Sequence, residues 1–493
     1  MYRHNYITFF GKVVVKNKKL YITEKYIIII YVQICNYAGR FVMNIIIVGC
    51  GKVGTTLVEQ LDSEGNNITI IDKDSKTVSE ISGQNDVMGI VGNGASYQVQ
   101  VEAGVKNADL LIAVTESDEV NILCCLIAKK AGDCHTIARI RNYEYSQQIR
   151  MIKEELGLAM VINPEIATAQ EISRVLRMPS AIKVDTFVKG KVELLKFKIP
   201  EDSVLHNVSV MDITTKLKCD VLVCLIERGD EVFIPRGNFV LKEKDVVSFV
   251  ASPKKAMKFF IKTGIISHRI KDVMLVGGGA TAFYLTKVLD KIGMSVKIIE
   301  KDKARCEHLS DILPEATIIH GDGTERTVLL EEGLEKTDAF IALTGHDEQN
   351  VLLSMYAKTV NECKVVTKIK RMNFDEVIKN LDLDTTVYPK NLTADYIMRY
   401  VRAMKNADGS NLETMYSLIE DKVEALEYKI GRENQAVGVP LEQLKIKEGI
   451  LLAAISRNGE IITPRGKDML KIGDSVIIVS MVPGIEDITD IVE

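Results

Sequence analysis

The stretch that decides the fold is Met43-Asn44-Ile45-Ile46-Ile47-Val48-Gly49-Cys50-Gly51-Lys52-Val53-Gly54. Four apolar residues, Ile45 to Val48, run into three glycines spaced G-x-G-x-x-G. An apolar run of this kind predicts a buried parallel strand that turns sharply into a helix. The first glycine permits the turn, the second lets backbone approach a pyrophosphate, and the third lets the helix sit close on the strand. Phosphates would then lie on the free N–H groups at the helix N-terminus. A second strand, Asn67-Ile68-Thr69-Ile70-Ile71, ends in Asp72, an acid placed to accept hydrogen bonds from a ribose. The motif, its strand and the acid together point to a dinucleotide or adenine-nucleotide site. The plainer alternative is a Rossmann-like half without a ligand.

The chain then repeats itself. Gly49-x-Gly51-x-x-Gly54 returns as Gly277-x-Gly279-x-x-Ala282, after the strand Val273-Met274-Leu275-Val276. Asp72 returns as Glu300. Gly92-Asn93-Gly94 returns as Gly321-Asp322-Gly323, and Asp118-Glu119-Val120-Asn121 as Asp347-Glu348-Gln349-Asn350. Ile234-Pro235-Arg236-Gly237 pairs with Thr463-Pro464-Arg465-Gly466, and Asp245 with Asp474. A register held over so long a span marks a tandem duplication.

Each copy has two parts. In the first, strands alternate with helices, the pattern of a doubly wound parallel sheet. In the second, short strands separated by glycine and charged turns predict a small α+β domain. The expected fold class is therefore α/β: tandem Rossmann-like doubly wound parallel sheets, each followed by a small α+β domain. The expected divisions are 1–42, 43–165, 180–262, 270–390 and 410–493. Amphipathic helices from Asn163-Pro164 and from Tyr388-Pro389 lead out of the Rossmann-like parts, with a face suited to a partner subunit. Residues 1–42 carry seven Lys or Arg against one acid, Glu24. Two readings stay open for them: a short accessory segment, or an extension preceding a start at Met43.

Composition narrows the function. Hydrophobic residues make up 46% and charged residues 26%, as in ordinary globular chains. A net charge of −4 gives no basic field for nucleic acid. No apolar run approaches the roughly 20 residues of a membrane span, so a membrane role would come through a partner. The nine cysteines show no C-x-x-C spacing and read as small buried side chains.

Candidate ligand groups lie at strand ends. Gly49, Gly51 and Gly54 form the phosphate turn, and Asp72 favours NAD over NADP because a carboxylate repels a 2′-phosphate. Asn93 either touches the ligand or only shapes its turn. Thr115 and Glu116 end the fourth strand. Arg139 either reaches phosphate or makes a surface salt bridge. A dehydrogenase also needs an acid or base near the nicotinamide and a substrate pocket. The seven histidines are scattered, and only His346 ends a strand of a nucleotide half, opposite Ser117 in the other copy. The chain has the cofactor half of an oxidoreductase without the reaction half. That favours binding used for regulation.

These motifs, with Ala113-Val114-Thr115 and Ile137-Ala138-Arg139-Ile140-Arg141, resemble the domain family that regulates potassium conductance, the RCK family. The 180–262 and 425–493 segments are similar to its small C-terminal domain. The tandem order is similar to that of the NAD-binding subunits of Trk potassium uptake systems. The resemblance covers 43–493. It implies a regulatory, non-enzymatic, cytoplasmic protein, peripheral on the inner face of the membrane. It also implies a homo-oligomeric ring beneath a membrane potassium-translocating subunit that is gated by NAD/NADH, with ATP/ADP as further ligands. Carried over by residue, the first site takes Gly49, Cys50, Gly51, Lys52, Val53, Asp72, Thr115, Glu116 and Arg139. The second takes Gly277, Gly278, Gly279, Ala280, Thr281, Glu300, Thr344, Gly345 and Lys368. Ala282, Gly345 and Lys368 depart from the first copy's Gly54, Glu116 and Arg139. A soluble NAD-dependent oxidoreductase and a nucleotide sensor for another channel or antiporter are the rival functions.

Overall fold

The computed structural model describes residues 42–493, apart from 144, 146–147, 180, 266–269, 371–376, 379–380, 382, 408–411, 420–421, 483–484, 486 and 493. Before residue 42 it describes only an antiparallel pair of short strands, Val14–Lys16 and Lys19–Tyr21. The two readings of residues 1–42 otherwise fall outside the described residues.

Two parallel six-stranded sheets form the nucleotide-type halves. In the first, the spatial order is Val87–Val91, Asn67–Asp72, Asn44–Val48, Leu110–Ala113, His135–Arg139, Met160–Ile162. In the second it is Thr317–His320, Ser295–Glu300, Asp272–Val276, Ala339–Ala342, Lys364–Lys368, Thr385–Val387. The β-branched run Ile45–Val48 is buried on both faces, as a central parallel strand requires. In each sheet the order reverses between the first and fourth strands in sequence, at Asn44–Val48 beside Leu110–Ala113 and at Asp272–Val276 beside Ala339–Ala342. A crevice opens at such a point, outside the carboxyl ends of the strands.

Two antiparallel five-stranded sheets follow the same plan as each other. One runs Glu231–Phe233, Leu222–Arg228, Val246–Ala251, Val192–Lys198, Lys183–Phe187; the other, Leu412–Ile419, Val423–Lys429, Ser475–Ser480, Ile450–Arg457, Glu460–Ile462. Sequence patterning does not reveal Lys183–Phe187, because Lys183, Asp185 and Thr186 mask its alternation; Val184 and Phe187 are nonetheless buried. The two sheets share one core, in which Phe187, Val192 and Leu194 meet Tyr416, Val423 and Ala425. The repeated Asp245 and Asp474 prove to be structural. Each is almost fully buried and takes a two-pronged pair from Arg228 (2.8 and 2.7 Å) or Arg457 (2.9 and 2.7 Å).

The two long connecting helices are exchanged. Pro164–Arg177 follows the first sheet, yet its Ala169, Ile172, Val175 and Leu176 are buried in the core of the second copy. Pro389–Ala407 follows the second sheet, yet its Ala394, Ile397, Met398 and Val401 are buried with Leu57, Leu61 and Ile70 of the first. The faces expected to await a partner subunit are thus covered by the other half of the same chain. The reason is hydrophobic: each face is too apolar to leave in water, and the duplicated half supplies a matching surface.

Candidate functional site

Each glycine turn is built by its own backbone. Gly49 has φ +95° and Gly277 φ +101°, a region that side chains avoid. A Cβ on Gly54 would stand 2.0 Å from the Gly49 carbonyl oxygen, so this glycine is demanded by packing. Gly51 is different: a Cβ there meets nothing within 4 Å, and the same holds for Gly279. These second glycines keep space open in front of the N-termini of helices Lys52–Ser63 and Ala280–Lys291, and no side chain caps either helix.

The acids at the second strands secure the turns. Asp72 Oδ2 accepts from the Cys50 N–H at 2.6 Å, and Glu300 Oε2 accepts from the Gly278 N–H at 2.6 Å. Their other oxygens accept from Asp74 N–H (3.0 Å) and Asp302 N–H (2.9 Å). A carboxylate oxygen has two lone pairs, so each acid keeps acceptor capacity for a ribose hydroxyl.

At the fourth strands a buried asparagine does work that sequence reasoning passed over. Asn121 Oδ1 accepts from Thr115 N–H (2.8 Å) and hydroxyl (2.7 Å), while its amide donates to the carbonyls of Thr115 (3.1 Å) and Arg139 (2.9 Å). Asn350 repeats this with Thr344 and the Lys368 carbonyl. The signal was present in the sequence: an asparagine six residues after the strand-end threonine in both copies.

Arg139 does not form a surface salt bridge. Its Nη2 donates to the Thr115 carbonyl, and its Nε is buried with no acceptor. Burial lowers its pKa, with Arg141 adding to the effect. Lys368, in the matching place, is buried and donates to the Leu343 carbonyl at 2.5 Å. Burial first, then Lys370, brings its pKa down to about 8. Asn93 closes an Asx turn onto Ala95 N–H (3.1 Å), as Asp322 does onto Thr324 N–H (2.9 Å). Burial pushes the Cys50 thiol up to about 12, which leaves it unreactive. The eight described cysteines are all buried and unbridged. His346 and Ser117 are both helix N-caps.

The two turns open onto one cleft of about 1300 Å³, walled by both copies. Nearly every candidate residue lines it: Gly49, Cys50, Gly51, Lys52, Val53, Asp72, Asn93, Thr115, Glu116 and Arg139 from the first copy, and Gly277, Gly279, Ala280, Thr281, Glu300, Thr344, Gly345 and Lys368 from the second. Gly54 lies beneath the turn and Gly278 turns its N–H to Glu300, so neither is part of the lining. Residues not foreseen also line it, among them Pro164, Glu165, Thr168, Pro389 and Lys390 of the exchanged helices. The volume exceeds what one drug-sized ligand usually fills, roughly 300–1,000 Å³. The unfilled space at Gly51 and Gly279 and the unpartnered Arg139 Nε fit anionic ligands such as nucleotides. Among the described residues no cluster of His, Cys, Asp or Glu is placed to hold a metal ion.

Fold and site define a tandem Rossmann-type chain, with two glycine turns facing one cleft and two paired α+β domains beyond it. Residues 45–164 and 273–389 match the TrkA-N domain, and 194–260 and 425–492 the TrkA-C domain. The chain belongs to the TrkA family of Trk system potassium uptake proteins. It is 33% identical over 448 residues to Trk system potassium uptake protein TrkA homolog 1 of Methanosarcina mazei, covering 89% of this chain and 97% of that protein. It is 29% identical to the TrkA of Haemophilus influenzae, covering 88% and 95%. Among solved structures it is similar in fold to the GsuK channel bound to NAD (TM-score 0.59, 14% identity, 90% of this chain and 77% of that one) and to the GsuK RCK domain (TM-score 0.58, 14%, 90% and 93%). No helix among the described residues is long and apolar enough to cross a membrane.

Proposed function

We propose that this chain is the nucleotide-binding regulatory subunit of a potassium uptake system, and that NAD(H), with ATP or ADP, gates a membrane potassium-translocating subunit through it. The observation that carries this reading is the shared cleft. A ligand there touches both copies, and the exchanged helices tie each copy to the other and to the paired α+β domains. Ligand binding therefore shifts the relative position of the halves by whatever affinity difference it has between arrangements. The likeness in fold to the GsuK channel bound to NAD supports a dinucleotide as one ligand. Candidate residues that line the cleft from both copies, with no activated nucleophile or paired acid and base among them, favour a sensor over an oxidoreductase. The α+β pairs and outer faces serve assembly into a homo-oligomeric ring on the inner face of the membrane.

The test is potassium flux in proteoliposomes holding the partner subunit, with this protein and NAD, NADH, ATP or ADP added in turn. A nucleotide-dependent change in flux is expected. Flux indifferent to every nucleotide, or catalytic NADH consumption with a small substrate, overturns the reading.

A further inference from the structure

We infer that the cleft takes one ligand that engages both glycine turns at once, a dinucleoside polyphosphate with an adenosine at each end. The inference rests on the nucleotide reading above and deepens it by naming a further ligand class for the same cleft. Each part that such a molecule needs is present twice. Helices Lys52–Ser63 and Ala280–Lys291 start without a side-chain cap, and Gly51 and Gly279 keep the space in front of them free. The free N–H groups and the helix dipole attract phosphate there. Asp72 and Glu300 each end the strand next to the turn strand, the place of a ribose in this kind of sheet. Both turns and both acids line one cleft, of about 1300 Å³.

Past the turns the cleft is cationic. On the side of each turn away from its acid, two strands across, the first sheet ends in Arg139 and the second in Lys368. Arg141, Lys370 and Lys390 join them in the lining, against the carboxylates of Glu116 and Glu165. A dinucleotide such as NADH lays its two phosphates on one turn and an uncharged nucleoside beyond it, which leaves these cations unmatched. Two nucleoside triphosphates, one on each turn, bring two separate anionic tails into the same space, where like charges repel. A single polyphosphate shared by two adenosines meets the cations with fewer negative charges. It also gives up its translational and rotational freedom only once for two sets of contacts.

Calorimetric titration of the full chain tests this, with ATP, NADH and the diadenosine tri-, tetra-, penta- and hexaphosphates. One dinucleoside polyphosphate per chain is expected. Affinity should peak at one phosphate length, exceed that of ATP by roughly 100- to 10,000-fold, and fall for shorter and longer chains. Gly51→Val and Gly279→Val each block one turn, so either should bring the tightest of these ligands down to the affinity of ATP at the turn that remains. Two molecules per chain, or a blocked turn that leaves the tightest ligand as tight as before, overturns the bridging ligand. Uptake of ATP or NADH with no dinucleoside polyphosphate bound more tightly overturns this inference alone. A chain that takes up none of them overturns the nucleotide reading as well.

Discussion

At the scale of single residues, the three glycines of the first turn have separate jobs, and substitution should separate them. Gly51→Val points into open space, so thermal stability should stay within about 0.5 kcal/mol while NADH binding at the first site is lost. Gly54→Val drives a side chain against the Gly49 carbonyl and should cost about 1–3 kcal/mol or more, visible as a lowered melting temperature. The second copy tolerates only a methyl there, the fully buried Ala282. Lys368 sets a pH dependence. With a pKa near 8, its ammonium is lost as pH rises through that value, so NADH affinity at the second site should fall over the same range. Titrations of the Gly51→Val chain at several pH values would show it, and Lys368→Gln should bind weakly with a flat profile. Much of this was legible in sequence, because glycine spacing and a strand-end acid leave a mark wherever they occur. The place of Glu165 and Lys390 in the cleft wall was not, since they start helices that pack on the other copy, and nothing local signals that.

At the scale of elements, the asparagine clips and the exchanged helices carry the site. Asn121→Leu takes the side-chain acceptor from the Thr115 N–H and the side-chain donor from the Arg139 carbonyl, while the Thr115 hydroxyl and carbonyl keep Ser117 and Arg139. At about 1–3 kcal/mol for each buried group left unsatisfied, a loss of several degrees in melting temperature is expected, with weakened binding at the first site. Ile172 belongs to the first copy in sequence but to the second in packing. Ile172→Ala should therefore cost about 2–5 kcal/mol and speed hydrogen exchange in the second sheet rather than the first; faster exchange confined to 44–113 would contradict the exchange of helices. The alternation of strands and helices was readable because period and glycine turns are local properties. The destination of an amphipathic helix is not local. Its stripe shows that something must cover it, and only the three-dimensional arrangement says that the cover is the other half of the chain.

At the scale of the whole molecule, the two α+β domains meet through a contact made by a buried carboxylate. Glu427 accepts from the Val188 N–H at 3.2 Å across their junction. Val188 is β-branched yet sits at φ +50°, a strained conformation held at this junction. Burial, with Glu413 nearby, raises the Glu427 pKa from 4.5 to about 7. The folded chain thus binds this proton more tightly than the unfolded one. The stability it contributes is full below about 4.5 and is lost as pH rises through 7. Denaturant midpoints measured across that window should decline, and Glu427→Gln, which keeps an acceptor for Val188, should flatten the decline.

The helix exchange also bears on how the two copies have been free to differ. Severed between Lys262 and Ile270, each half would show an apolar helix face to water and would have to find its mate by diffusion. Joined, each meets the other at an effective concentration on the order of millimolar, whatever the amount of protein present. The tether also guarantees that unlike halves meet. A symmetric homodimer obliges every substitution to appear twice; a fused one lets Gly345, Lys368 and Lys390 stand where the first copy has Glu116, Arg139 and Glu165. One receptor of two identical pockets can in this way drift into a receptor with two distinct inputs, without any change to the scaffold that joins them.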